Sequence, residues 1–310
     1  MGAAGEAHAG EVARLLGDSD LGVRESAADA LVRMKAVSVT HVATLLGDSD
    51  ASVRRIAAEI LGSMGSVGEA RAGEVARLLG DSDAGVRRSA EWALVHMGAA
   101  GEAHAGEVAR LLGDGDAGVR ESAKWVLGCI GTAGNAVAGE VARLLGDCDV
   151  GVRESAACAL GRMGTAGKAH AGEVARLLGD SDAGVRKSAA WALGHMGAAG
   201  AAHAPAIARL LRNSDEGVHQ HALIAFGCMG AAGAARASAI AKLLRGSGER
   251  VHHHAAVAFG SMGAAGAAHA HEFAKLLSDE NPLVRGCAAE VLGYMGAAGA
   301  AHAPAIAKLL

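Results

Sequence analysis

Residues 78–98 read LLGDSDAGVRRSAEWALVHMG, and recognisable copies of this stretch recur along the whole 310-residue chain. Aligned on the Val of Val-Arg, the copies fall at Val23, Val53, Val86, Val119, Val152, Val185, Val218, Val251 and Val284; the first step is 30 residues and every later one is 33. A fixed period of this length marks an array that grows by stacking helix pairs, so chain length does not set a domain count. Within the first copy Val23, Ala27, Ala30, Leu31 and Met34 share one face of a helix. The second Asp of each Gly-Asp-x-Asp (Asp20, Asp50, Asp83, Asp182) stands three residues before the Val, placed to cap that helix and meet its positive end. The Gly after each Met (Gly65, Gly98, Gly164, Gly197) is expected to end it in the left-handed conformation. The spacing predicts a shorter helix A, as in Glu102 to Leu112, and a longer helix B, as in Asp116 to Ile130.

The pattern L-L-G-D-x-D-x-x-V-R-x-x-A-x-x-A-L-G-x-M-G resembles the HEAT-like repeats of phycobilisome-lyase-type proteins, within the Armadillo-like superfamily, over the whole chain. The resemblance implies an all-α fold, a right-handed α-solenoid of about nine 33-residue helix-turn-helix repeats. It also implies a polar ladder between neighbouring repeats, Asp18 with Arg24, Asp48 with Arg54 and their successors, which His219 and His252 interrupt. The closing AHAPAIAKLL reads as an unpaired terminal helix A. Residues 1–310 are expected to form one continuous array. Neither end has a polar cap, so a longer parent array or a neighbouring subunit in end-to-end contact is expected to cover them. The linker of residues 35–44 is three residues short, which predicts a shortened second helix A.

Apolar residues make up 51% of the chain but aromatics only 2%, so the core must consist of thin layers of small side chains. The 46 Gly are expected to weaken the helices and leave a compliant rod. A net charge of −4 gives no electrostatic footprint for nucleic acid or an anionic membrane. Five Cys without a C-x-x-C pair indicate neither a disulfide framework nor a zinc site, and fit an intracellular, reducing compartment. No apolar run approaches a membrane span, and no targeting signal is visible.

The repeats differ most at positions two, six and ten after the Val, which angular bookkeeping puts on the helix B face opposite the core. All three Trp of the chain (Trp92, Trp125, Trp191) fall in the +6 column, with Cys158 and Ile224 in the same column and Glu59 and Glu290 toward its ends. Two readings are open: an apolar stripe for a partner, since Trp anchors interfaces, or Trp turned inward as filler between neighbouring B helices. Arg88, Glu121 and Lys187 in the +2 column, with His96, Cys129, Arg162 and His195 in the +10 column, would form a mixed rim around such a stripe. These twelve residues are the candidate partner-binding surface.

One His column (His8, His104, His170, His203, His269, His302) is expected to start helix A in a structural role, since stacked helices would hold its members too far apart for shared ligation. His219, His221, His253 and His254 are weak metal candidates, because successive helical residues point about 100° apart. No nucleophile elbow, phosphate loop or Cys-His pair is present, and His271-Glu272 is one of the several His-Glu pairs that a HEAT-like di-iron hydroxylase would need. The reading is therefore a non-enzymatic scaffold without cofactor that binds a protein partner or complex. A bilin lyase or chaperone, implied by the family resemblance, and a structural subunit stacking through its ends are the alternatives.

Overall fold

In the computed structural model, residues 3–34, 38–130, 134–211, 216–245 and 248–307 are described, and among these the regular structure is helical, joined by turns, bends and short extended links without a strand. They fall into two compact units, residues 1–141 and 142–310. Within each unit, helix pairs pack in chain order and the B helices of successive repeats lie side by side, the arrangement of an α-solenoid.

Helix B of the third repeat, Ala84–His96, shows why the sequence forms it. The Asp83 carboxylate accepts the Val86 N–H at 2.9 Å, satisfying one of the donors left free in the first turn. Val86, Ala90, Ala93 and Leu94 are completely buried, and Met97 nearly so. Burying Leu94 alone contributes roughly 1.5–3 kcal/mol. Asp50, Asp116, Asp149 and Asp182 cap their helices in the same way, and Asn281, followed by Pro282 in the first turn, caps the ninth. Gly98 ends the third helix with φ +52°, as the sequence predicts. Its ψ of −123° differs, however, placing it in the mirror image of the extended region rather than the left-handed helical one.

Helix A departs from expectation. The predicted Glu102 to Leu112 helix is three pieces: Ala99–Glu102, Ala105–Arg110 and a 3-10 turn over Leu111–Gly113. The first piece is pressed against the end of the preceding helix B, and a Cβ on Gly101 would sit 2.1 Å from the Leu94 carbonyl oxygen. The chain then turns at His104, whose ψ of 10° interrupts the helix. His104, His170, His203, His269 and His302 thus start only the second piece of helix A, and His8 lies inside the unbroken helix Ala3–Arg14. Where Val137 occupies the column, helix A runs unbroken over Gly134–Arg143. In the second repeat helix A is Val39–Thr44, preceded by fully buried Ser38, whose hydroxyl donates to the Leu31 carbonyl at 2.7 Å.

The polar ladder exists, with different partners from those implied. Arg54 donates to the backbone carbonyls of Asp48 and Ser49 in its own repeat, while its Nε and Nη2 hold both oxygens of Asp81 in the next repeat at 2.7 and 2.8 Å. Arg153 does the same with Asp180. Arg24 likewise donates to the Asp18 carbonyl, and the Asp18 carboxylate instead accepts the Asp20 N–H. The reason is geometric: the first Asp ends a 3-10 turn in an extended conformation, and its side chain curls back to its own loop while its carbonyl faces the following helix. The Arg54 hydrogen bonds hold the Asp81 carboxyl below the usual carboxylate range, although burial opposes this. For Asp180 burial is the largest influence and opposes ionisation, yet the Arg153 pair and the Asp182 N–H together outweigh it, so this carboxyl is also lowered.

Candidate functional site on the helix B surface

Helix packing fixes how the +6 column is presented. In the N-terminal unit Trp92 and Trp125 are 37% and 40% exposed, and in the C-terminal unit Trp191 is half-buried. Each of the flanking pair rests on a glycine of the preceding helix B. A Cβ on Gly62 would lie 2.8 Å from Trp92 Cζ3, and one on Gly161 would lie 3.0 Å from Trp191 Cζ3. The glycine notch therefore seats one edge of each indole and leaves the rest on the surface, so these rings both fill a crevice and present aromatic area.

The residue one turn later locks the ring. His96 stacks on Trp92 with centroids 4.0 Å apart, and its Nδ1–H donates to the Trp92 carbonyl at 2.7 Å. His195 repeats this on Trp191, at 4.1 Å and 2.8 Å. Arg162, from the preceding helix B, adds a guanidinium 5.7 Å from the Trp191 ring, within cation–π range. Rings held in this way lose little conformational freedom on contact with a partner.

The remaining candidates have separate placements. Arg88 and Glu121 are exposed, and Glu121 pairs with Lys124 on its own helix. Cys129 is exposed one turn beyond Trp125; Cys158, Lys187 and Ile224 are half-buried. Glu59, in the same column as the Trp residues, accepts from Arg55 at 3.2 Å and from the buried Ser89 hydroxyl of the next repeat at 2.7 Å. This inter-repeat link was not visible in the sequence, where the position of Ser89 is one the repeat pattern leaves unassigned.

The His-rich segment is engaged in local hydrogen bonds. His221 and His254 donate to the carbonyls of Gly217 and Arg250, and His253 faces Glu290 of the next repeat at 3.1 Å. His219 and His252 are buried in the Arg column, and His252 donates from Nε2 to the Leu244 carbonyl at 2.8 Å. Among the described residues no three His, Cys, Asp or Glu side chains converge as metal ligands. Where His252 cannot bridge repeats, Arg245 does so from the end of helix A, reaching Asp279 at 3.0 Å. The Asn281 N–H and Arg245 together hold the Asp279 carboxyl low. The signal was present in the sequence: Leu-Leu is followed by Arg in the two repeats that carry Val-His, at Arg212 and Arg245, although Arg212 lies outside the described residues. Burial pushes the Cys287 thiol up to about 12, with Glu290 adding to it, so it is no nucleophile at neutral pH.

The profile of HEAT repeats matches residues 39–128 and 137–227, more than half of the chain. The chain belongs to the HEAT-repeat family. Among solved structures this HEAT-repeat chain is similar to the karyopherin Kap121p bound to the extreme C-terminus of the protein phosphatase Cdc14p, with a TM-score of 0.71 and 12% identity over 96% of this chain and 39% of that one. Kap121p bound to Nup53p gives the same values. The Kap95:Nup1 complex matches with a TM-score of 0.63 at 12% identity, covering 96% of this chain and 47% of that one. At these identities the likeness concerns the fold, and the chain spans less than half the length of the karyopherins it matches. No curated protein matches the sequence. No helix among the described residues is long and apolar enough to cross a membrane.

Proposed function

We propose that this HEAT-repeat chain is a non-enzymatic scaffold that binds a protein segment through the helix B surface of its N-terminal unit, around Trp92 and Trp125. The observation that carries this reading is the exposure of Trp92 and Trp125, the first of them on a ring seated by Gly62 and stacked on His96, since an exposed and immobilised indole is a favoured interface anchor. The opposite charges of Arg88 and Glu121 beside them suit a polar rim. The karyopherin structures, solved bound to the extreme C-terminus of Cdc14p and to Nup53p, agree with a protein ligand as the class. The test is affinity recovery of the tagged chain and of its Trp92→Ala/Trp125→Ala variant from the source cell. A protein held by the parent and lost from a variant with unchanged melting supports the reading; equal recovery on both contradicts it.

Exposed Cys129 beside exposed Trp125 gives the bilin-lyase reading, which the phycobilisome-lyase resemblance implies, its one specific observation: a thiol next to an aromatic platform. A visible absorbance band retained on the chain after incubation with a linear tetrapyrrole, and abolished by Cys129→Ser, would favour the lyase over the scaffold.

A further inference from the structure

In repeats 3, 4 and 6 the residue at the helix A break pairs with a Glu three positions later: Arg71 with Glu74 at 2.8 Å, His104 with Glu107 at 3.2 Å, and His170 with Glu173 at 2.9 Å. Glu173 also lies 3.9 Å from Arg176, three residues further along the helix. In repeats 7 and 8 this Glu is replaced by Ala206 and Ala239, while the basic positions persist as Arg209, Arg236 and Lys242. Ala204–Leu210 and Ala237–Leu244 therefore carry cations without the carboxylate that balances them elsewhere.

The structure shows two adjoining grooves at this place, all within the C-terminal unit. One, of about 800 Å³, runs between these two helices and includes Arg209, Arg236 and Lys242; the other, of about 480 Å³, lies on the repeat 6 side and includes Arg176, Arg186 and Arg209. Among the described residues neither is lined by an Asp or Glu. Arg186 donates from Nη1 to the Asp180 and Ser181 carbonyls, and the Nε atoms of Arg186 and Arg236, like that of Arg24 in the first repeat, are buried without a hydrogen-bond partner. By contrast the corresponding groove between repeats 1 and 2 contains Glu11 beside Arg14.

We infer that the helix A face of repeats 6 to 8 is a second binding surface, which takes an extended acidic peptide segment. Arg176, Arg209 and Lys242 occupy the same position in successive repeats. Packed helices stand about 8–10 Å apart, and an extended chain covers about 3.4 Å per residue. A peptide crossing the three helices thus places a carboxylate at each cation when its acidic residues are about three apart. The apolar side chains of Pro205, Ala208 and Leu243 line the groove between the cations, and guanidinium groups favour planar carboxylates.

The test uses the full chain and a fluorescein-labelled twelve-residue peptide with Glu at every third position, read by anisotropy. Binding should weaken at least tenfold in Ala206→Glu/Ala239→Glu, which restores the residue that other repeats carry and therefore suits the fold. Arg209→Ala, at an exposed side chain, should weaken it severalfold. Trp125→Ala should leave it unchanged, so this result stands apart from the helix B reading. The inference is overturned by no binding, by undiminished binding to the Ala206→Glu/Ala239→Glu chain, by loss in Trp125→Ala, or by a twelve-nucleotide oligodeoxythymidine binding as tightly as the peptide.

Discussion

The two units carry the same framework and present it differently. In the N-terminal unit Arg54 clasps Asp81 and Gly62 seats Trp92; in the C-terminal unit Arg153 clasps Asp180 and Gly161 seats Trp191. The side-chain exposures of the two ion pairs agree closely, at 14% and 10% against 13% and 11%. The Trp environments diverge through one residue of the preceding helix B. At that position the C-terminal unit has Arg162, whose guanidinium lies beside Trp191, and the N-terminal unit has Ser63, whose hydroxyl turns back to the Glu59 carbonyl and leaves Trp92 open. Repeat architecture thus separates residues that fix the spacing of helices from residues that decide how much aromatic surface each unit exposes.

That separation can be broken most forcefully at the ion pairs. Arg54→Met and Arg153→Met each leave a largely buried carboxylate with only its backbone hydrogen bond, and each should clearly lower the midpoint of chemical denaturation. The two losses should be equal within error, and a threefold difference would show that the frameworks are not equivalent. Next come the notches. A Cβ at Gly62 or Gly161 would lie 2.8 Å from the Cα of Ala93 or Ala192, so Gly62→Ala and Gly161→Ala should each destabilise by about 1–3 kcal/mol and disturb the adjacent indole fluorescence.

Acid sharpens the same likeness. Asp81 and Asp180 titrate below the unfolded carboxylate value of about 3.9, so their contribution is complete well above that pH and is lost as pH falls through it toward the lowered native values. Both units should weaken together below about pH 4, and Arg54→Met and Arg153→Met should flatten that dependence. The smallest effect tests the divergence itself. With the other two Trp replaced by Phe, Arg162→Ala should raise acrylamide quenching of Trp191 and Ser63→Arg should lower that of Trp92, each by less than about twofold with stability unchanged.

Much of this was legible in the sequence, because the periods and caps are local. The Val spacing, the Asp caps, the Gly after Met and the Trp column all depend on residues within one repeat. Contacts between repeats were harder to read. The Arg54–Asp81 pair joins residues 27 apart, and the Ser89–Glu59 bond joins residues 30 apart. The break at His104 arises because Gly101 must approach the Leu94 carbonyl, a packing demand that helix propensity does not record. Arg245 escaped because it replaces a glycine of the turn and takes over a role that belongs to the Arg after Val elsewhere.

The central claim is that the helix B surface receives the partner. A photoreactive residue placed at Arg88, beside Trp92 on helix B, and in a second chain at Arg110, exposed on helix A, tests it in extract of the source cell. The scaffold reading predicts a discrete protein adduct from position 88, competed away by unlabelled chain, and none of that mass from position 110. The same adduct from 110, with nothing at 88, would contradict it.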